Sequence, residues 1–366
     1  MDNVIQNQNI NQTPQTAKLK KCVSCGADLV FDGKTNTLYC EHCDGRYSVP
    51  DVPFREKKFF NPKQLDDEVI QKETLVTRCL NCGANVTINS TSMSHICPFC
   101  SSSKITTNTK LDYLPDAILP FTIGKEEVSI IFKKWVKKRK MAPKSFKRVD
   151  STNELKPIYA PCWLFDTKSR TDYSGYLAYN RTETYKDSEG RTQTRTVTDY
   201  KYVSGCRDDV FTNLTVHAGE SMSKGFFNKI EPFNLANIKV FSEEYLAGYY
   251  TNQYSLNLKN SWQMTESNVR SMIIDKIISY HGADGYRSLD LDLHFDYTKY
   301  AYAFLPVWVG SYIYENKNYN VYINGSTGEI AGKSPISKFK VFMIILSVLL
   351  LVGGAVLLHL YLNGGL

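Results

Sequence analysis

Eight of the ten cysteines fall into two groups of four with one shared spacing: Cys22, Cys25, Cys40 and Cys43, then Cys79, Cys82, Cys97 and Cys100. Each group reads C-x2-C-G-A, with fourteen residues between its second and third cysteines, and closes on C-x2-C. A CxxC sets two thiolates on one tight turn. Two such turns facing each other supply the four sulfurs of a tetrahedral, structural zinc site with no position left open for water. Two zinc ions, one per group, are the expected cofactors. Iron would accept the same thiolates, so the spacing fixes the ligands before it fixes the metal. Gly26 and Gly83 directly follow the first pair, where positive φ lets backbone amides turn toward the sulfurs. His42 and His95 are surplus to a four-sulfur site and read as surface histidines.

These groups define two zinc ribbons, at 21–48 and 77–104, separated by a linker at 49–76. Their spacers, "ADLVFDGKTNTLY" and "ANVTINSTSMSHI", fit short hairpins with polar turns at Asp32-Gly33 and at 89–92. Units this small bury little apolar surface and depend on metal to fold. Residues 1–20 are polar and Asn/Gln-rich, which reads as a disordered leader rather than a secretory signal. The expected compartment is therefore reducing, where paired CxxC motifs hold metal instead of forming disulfides.

The net charge of +7 is localised: Lys125 to Arg148 holds ten Lys or Arg against only Glu126 and Glu127. Within it, Val128, Ile131, Phe132, Trp135 and Val136 recur at helical spacing, while Lys133, Lys134, Lys137, Lys138, Arg139 and Lys140 occupy the rest of the surface. The pattern predicts a basic amphipathic helix at about 124–140, with Thr122 as N-cap, glutamates at its positive end and lysines at its negative end. Three uses compete for the lysine face: solvation of an ordinary surface helix, contact with an anionic membrane, or contact with a nucleic-acid backbone.

Beyond residue 150 the chain becomes rich in Tyr and Thr with alternating polarity. It predicts two long strands over 171–205 joined by "DSEG", a third strand in "DVFTNLTVHA", a helix around 265–281, and strands in "SLDLDLHFDY", "YAYAFLPVWVGSYIYE" and "YNVYINGSTGEIAG". The expectation is an α+β domain over 110–335 with antiparallel β-sheet. Alternation in "SLDLDLHFDY" puts Asp290, Asp292, His294 and Asp296 on one strand face. That row has metal-binding residue types, yet positions two apart on a strand lie nearly 7 Å from each other, so it reads as a solvated face. Cys162, among apolar neighbours, reads as a buried small residue. The chain carries no phosphate-cradling G-x-x-x-x-G-K-[ST], no H-E-x-x-H and no G-x-S-x-G, and a non-enzymatic role is expected.

The apolar run at 341–362 spans about 33 Å as a helix, matching the roughly 30 Å hydrocarbon core, and predicts one transmembrane helix. Lys333, Lys338 and Lys340 precede it and no Lys or Arg follows, so the N-terminal part is expected in the cytoplasm, as in a single-pass cell-membrane protein. Gly353-Gly354 would allow close approach of a second helix.

The order of parts resembles a family of bacterial single-pass membrane proteins with TFIIB-type zinc ribbons. The shared features are two CxxC-G…CxxC ribbons, "LPFTIGKEEVSIIFKKWVKKRKMAP", "YAPCWLFD", "DYSGY", "LPVWVGSYIYENKNYNVYINGSTGEIAG" and the terminal apolar helix. Members are also labelled relatives of the primosomal helicase, which the missing phosphate loop argues against. The resemblance implies a membrane scaffold in envelope-stress response, with phage-shock-protein-A-like partners, and carries over only the eight ribbon cysteines. The expected function is a non-enzymatic adaptor whose tandem ribbons recruit cytoplasmic proteins to the membrane. The alternative is a membrane-tethered nucleic-acid-binding regulator using the ribbons and the basic helix.

Overall fold

The structure, a computed structural model, describes residues 21–65, 75–79, 85–87, 105–110, 114–146, 155–219, 222–252, 254–314 and 317–362. The expected leader at 1–20 lies outside them. In chain order the strands are β1 Leu29–Asp32, β2 Thr37–Cys40, β3 Arg46–Ser48, β4 Lys58–Phe59, β5 Leu75–Cys79, β6 Asn85–Thr87, β7 Ile105–Lys110, β8 Ala117–Ile118, β9 Lys156–Lys186, β10 Thr192–His217, β11 Lys239–Val240, β12 Tyr250–Asn252, β13 Gly285–Tyr314, β14 Lys317–Asn324 and β15 Ile330–Gly332. The α-helices are α1 Lys125–Lys138, α2 Lys224–Ile230, α3 Leu258–Tyr280 and α4 Lys338–Leu362. The class is α+β with mainly antiparallel sheets, as the alternating patterns predict.

Strands β1, β2 and β3 make one small sheet, and β4 to β15 make a second, organised on β9. Strand β9 runs antiparallel to β10 on one side and to β13 on the other. Its composition changes in three steps, and burial follows. From Ile158 to Phe165 every residue is buried, because "IYAPCWLF" is apolar on both faces. From Thr167 to Leu177 burial tracks alternate residues, and beyond Asn180 neither face is buried. Strand β13 repeats the gradient in reverse. Segments expected as separate strands are in fact continuous. The "DVFTNLTVHA" strand is the end of β10, bent by a bulge at 211–214 where Asn213 takes φ +57°, and "SLDLDLHFDY" runs into "YAYAFLPVWVGSYIY" across a bulge at 295–297.

Helix α2 covers one face of the apolar zone, its Phe227 and Ile230 packing on Ile158, Ala160 and Leu305. The other face carries α1, the first ribbon and α3. Helix α1 buries Val128, Phe132, Trp135 and Val136 while Lys133, Lys134, Lys137, Lys138 and Lys140 stay exposed, as the periodicity requires. Its N-cap is Gly124 rather than Thr122, whose hydroxyl instead donates to the Ser326 carbonyl oxygen at 3.1 Å. Helix α3 starts earlier than its apolar periodicity suggests, because the Asn257 side chain accepts from the Asn260 amide at 2.9 Å and caps it there.

The first ribbon is welded to this core. Leu29, Phe31 and Leu38 are buried, and Phe31 meets the Tyr245 ring at 4.8 Å. The Phe31 amide donates to the Ala247 carbonyl at 2.9 Å, and the Tyr249 hydroxyl donates to the Phe31 carbonyl at 2.9 Å. A Cβ at Gly33 would fall 1.7 Å from the Phe121 carbonyl oxygen, so this turn needs glycine for its approach to the domain. Residues 49–65 of the expected linker form a strap across the sheet. Strand β4 pairs with β13, and Lys57 meets Asp166 at 2.6 Å.

His217, at the end of β10, faces Cys162 across the ladder and stacks on Phe227, with ring centroids 5.2 Å apart. Burial pushes its imidazole down to about 4. The unfolded chain then binds a proton that the folded chain rejects, so stability declines as pH falls from about 6.5 toward 4. The expected loss is about 3 kcal/mol over that interval. Denaturant unfolding at pH 7 and pH 5 checks this: His217→Leu should flatten the acid-side decline, and an unchanged pH profile would overturn the assignment.

Candidate metal centre and its surroundings

Cys22 and Cys25 stand on a turn leading into β1, and Cys40 and Cys43 close the second turn between β2 and β3. Cys22 Sγ lies 3.4 Å from Cys43 Sγ, Cys25 Sγ lies 3.5 Å from Cys40 Sγ, and all four sulfurs fall within 4.8 Å of one another. A tetrahedral zinc with Zn–S bonds of about 2.3 Å places its sulfurs roughly 3.8 Å apart, so the donor set fits such an ion. The two turns are built alike. Gly26 takes φ +74°, and its amide donates to the Cys22 carbonyl at 2.8 Å. The equivalent position in the second turn is Asp44, at φ +58°, whose amide donates to the Cys40 carbonyl at 2.9 Å. Its carboxylate accepts from the Tyr39 hydroxyl at 2.5 Å, a side-chain bond that helps hold a left-handed conformation that non-glycine residues rarely adopt.

The electrostatics call for a cation. The Tyr47 hydroxyl, 3.2 Å from Cys22 Sγ, holds that thiol down to about 5. At Cys43 the Gly45 amide pulls the same way, but the neighbouring sulfurs outweigh it and push the thiol up to about 12. One thiolate suppresses the next unless a bound metal compensates the charge. Tyr47 and Asp44 support the site, and neither is visible in the cysteine spacing. Cys22 and Cys40 are buried, whereas Cys25 and Cys43 face outward beside exposed His42, and Val23 at the tip is 77% exposed.

In the second cysteine group, expected as a second ribbon, the backbone of Cys79 ends β5, which pairs antiparallel with β6 and β7, and β6 pairs with β12. Cys82, Cys97 and Cys100, with Gly83 and His95, lie outside the described residues.

The other candidates separate cleanly. Asp290, Asp292, His294 and Asp296 are exposed on the open face of β13, and Lys168 pairs with Asp296 at 3.0 Å. Among the described residues only the four cysteines of the first ribbon form a close group of ligand-bearing side chains. Cys162 is fully buried, and burial raises its thiol well above the ordinary value. Cys206 is exposed on β10, its thiol raised chiefly by the adjacent Asp172. Neither cysteine has the lowered pKa of a nucleophile. In the basic segment Arg139 departs from its neighbours. Its guanidinium stacks on the Trp135 ring at 4.2 Å and is half-buried, while Lys133, Lys134, Lys137, Lys138 and Lys140 face solvent. Helix α4 is long and apolar enough to cross a membrane: over Lys338–Ala355 its mean hydropathy is 2.0, and none of that stretch is buried against the protein.

The chain is similar to YdjG of Bacillus subtilis (strain 168), an uncharacterised protein, with 29% identity over 324 residues that span 88% of this chain and 91% of that one. No family model matches the chain, and no solved structure matches it.

Metal analysis by mass spectrometry tests the centre. Cys25→Ser combined with Cys43→Ser should remove one zinc equivalent. Asp292→Asn with His294→Asn should remove none, and a lost equivalent there would assign a site to the β13 row. Tyr47→Phe should keep the metal but weaken its affinity by about ten-fold, the scale of lost outer-shell support.

Proposed function

We propose that the chain is a non-enzymatic adaptor. In this reading α4 anchors it in a cell membrane, its N-terminal part faces the cytoplasm, and its zinc ribbons recruit cytoplasmic proteins to that surface. The role in envelope stress, with phage-shock-protein-A-like partners, follows from the resemblance to bacterial zinc-ribbon membrane proteins.

The observation that carries this reading is the placement of the first metal turn. It projects from a platform that is continuous in packing with the domain leading to α4. Val23 stands exposed at its tip, while Leu29, Phe31 and Leu38 are spent on docking to the core. A metal-rigidified knob held on a fixed base loses little conformational freedom when a partner binds. The apolar surface of α4, including Leu349, Leu350 and Leu351, requires cover that a bilayer would supply. The ribbon also contributes to the core, so removing it whole would damage the domain. A surface change at the tip is the cleaner probe.

Crosslinked affinity purification of the full chain from native membranes, with and without nuclease, tests the proposal. The expected catch is a protein set unaffected by nuclease and reduced several-fold by Val23→Asp, at unchanged thermal stability and metal content. A catch that vanishes with nuclease would replace the adaptor reading with the membrane-tethered nucleic-acid regulator.

A further inference from the structure

Helix α1 and the start of α4 are pinned together. The Lys340 ammonium donates to the carbonyl oxygens of Lys140 at 2.8 Å and Ala142 at 2.7 Å, the groups just past the C-terminal end of α1. The Ser337 amide donates to the Met141 carbonyl at 2.9 Å. The uninterrupted apolar run of α4 starts at Val341, one residue beyond this clamp. Ser337, which meets Met141 by its backbone, precedes Val341 by four residues, so at a rise of about 1.5 Å per residue this contact lies about 6 Å before that boundary along α4. This distance is shorter than the Debye length of about 8 Å in physiological salt, so charges there feel a membrane surface.

The charges at this junction have one sign. No Asp or Glu occurs between Val128 and Phe146, nor from Ile330 to the end of the chain. Lys134, Lys137, Lys138, Lys140, Lys144 and Lys338 are all exposed. Solvation alone would suit mixed charges equally well, and packing is already satisfied by the buried face of α1. A nucleic acid on this face would be repelled by the anionic surface beside it.

We propose that the lysine face of α1 is a docking platform for anionic lipid headgroups. The Lys340 clamp holds it at the membrane interface, so lipid charge fixes how the ribbon-bearing domain stands on the bilayer. The inference rests on the reading that α4 spans the membrane, and the test separates the two. The full chain is reconstituted in phosphatidylcholine vesicles with and without phosphatidylglycerol, and backbone hydrogen exchange is followed.

Residues 341–355 should be protected in both vesicle types. Residues 133–146 should exchange at least about five-fold more slowly with phosphatidylglycerol, the factor corresponding to about 1 kcal/mol for one lysine at an anionic surface. High salt should abolish the difference, and so should Lys137→Gln with Lys138→Gln and Lys144→Gln, with α3 exchange unchanged. Equal exchange of 133–146 in both vesicles, with 341–355 protected, overturns the platform alone. Free exchange of 341–355 overturns the anchor and the platform with it. Protection of 133–146 by an added RNA oligonucleotide, and not by lipid, reassigns the face to nucleic acid.

Discussion

The antiparallel pairing of β9 with β13 is the constraint on which the rest of the molecule depends. Two strands of 31 and 30 residues lie side by side from Lys156 to Ala178 of β9 and from Gly285 to Val309 of β13. At about 3.3 Å per residue they reach far beyond a normal domain core. Their apolar ends must therefore be covered on both faces, their alternating middles on one face, and their polar ends on neither. Helix α2 covers one side of the apolar zone. Helix α1, the first ribbon and the start of α3 cover the other, while the far end of the β9–β10 hairpin stands in solvent.

The first ribbon illustrates what a small metal unit needs. Four thiolates held this close repel one another, so a bound cation would supply part of the folding free energy. Even with metal, a three-stranded sheet with one short hairpin cannot enclose Leu29, Phe31 and Leu38 by itself. The unit completes its core against Tyr245, Tyr249 and Phe121, and Gly33 permits the contact. Residues of the 119–143 and 305–332 segments serve a similar end. Thr122 and Ile123 amides both donate to the Gly325 carbonyl at 2.9 Å, Trp308 Nε1 donates to the Ile123 carbonyl at 3.0 Å, and buried Asn324 donates to Ile230 and Pro232 carbonyls. Those residues hold the junction of α1, β13 and β14 together.

Packing and hydrogen bonding thus join the metal turn, the sheet, α1 and the base of α4 into one path. That path runs from the base of α4 to the first cysteine turns through the Lys340 clamp, the buried face of α1 and the aromatic cluster around Phe121.

The sequence by itself determined what depends on residue type and near-neighbour spacing. The first cysteine group, the basic helix, the apolar terminal helix and the half-buried strands follow from the CxxC spacing and from periods of 3.6 and 2. The first four cysteines meet in space as that spacing requires, and the Asp–His row of β13 is solvated because its period left it opposite the core face. What only the tertiary structure decided involves partners distant in the chain. Ribbon spacing carries no sign that Phe31 would pack on Tyr245, that residues 49–65 would cross the sheet as a strap, or that β10 and β13 would run on through bulges. The same holds for Tyr47 at Cys22, Arg139 on Trp135 and Lys340 on the end of α1. Each arises because a group left unsatisfied by its own segment, whether an apolar side chain, a thiolate or a terminal carbonyl, finds its complement only when the chain closes on itself.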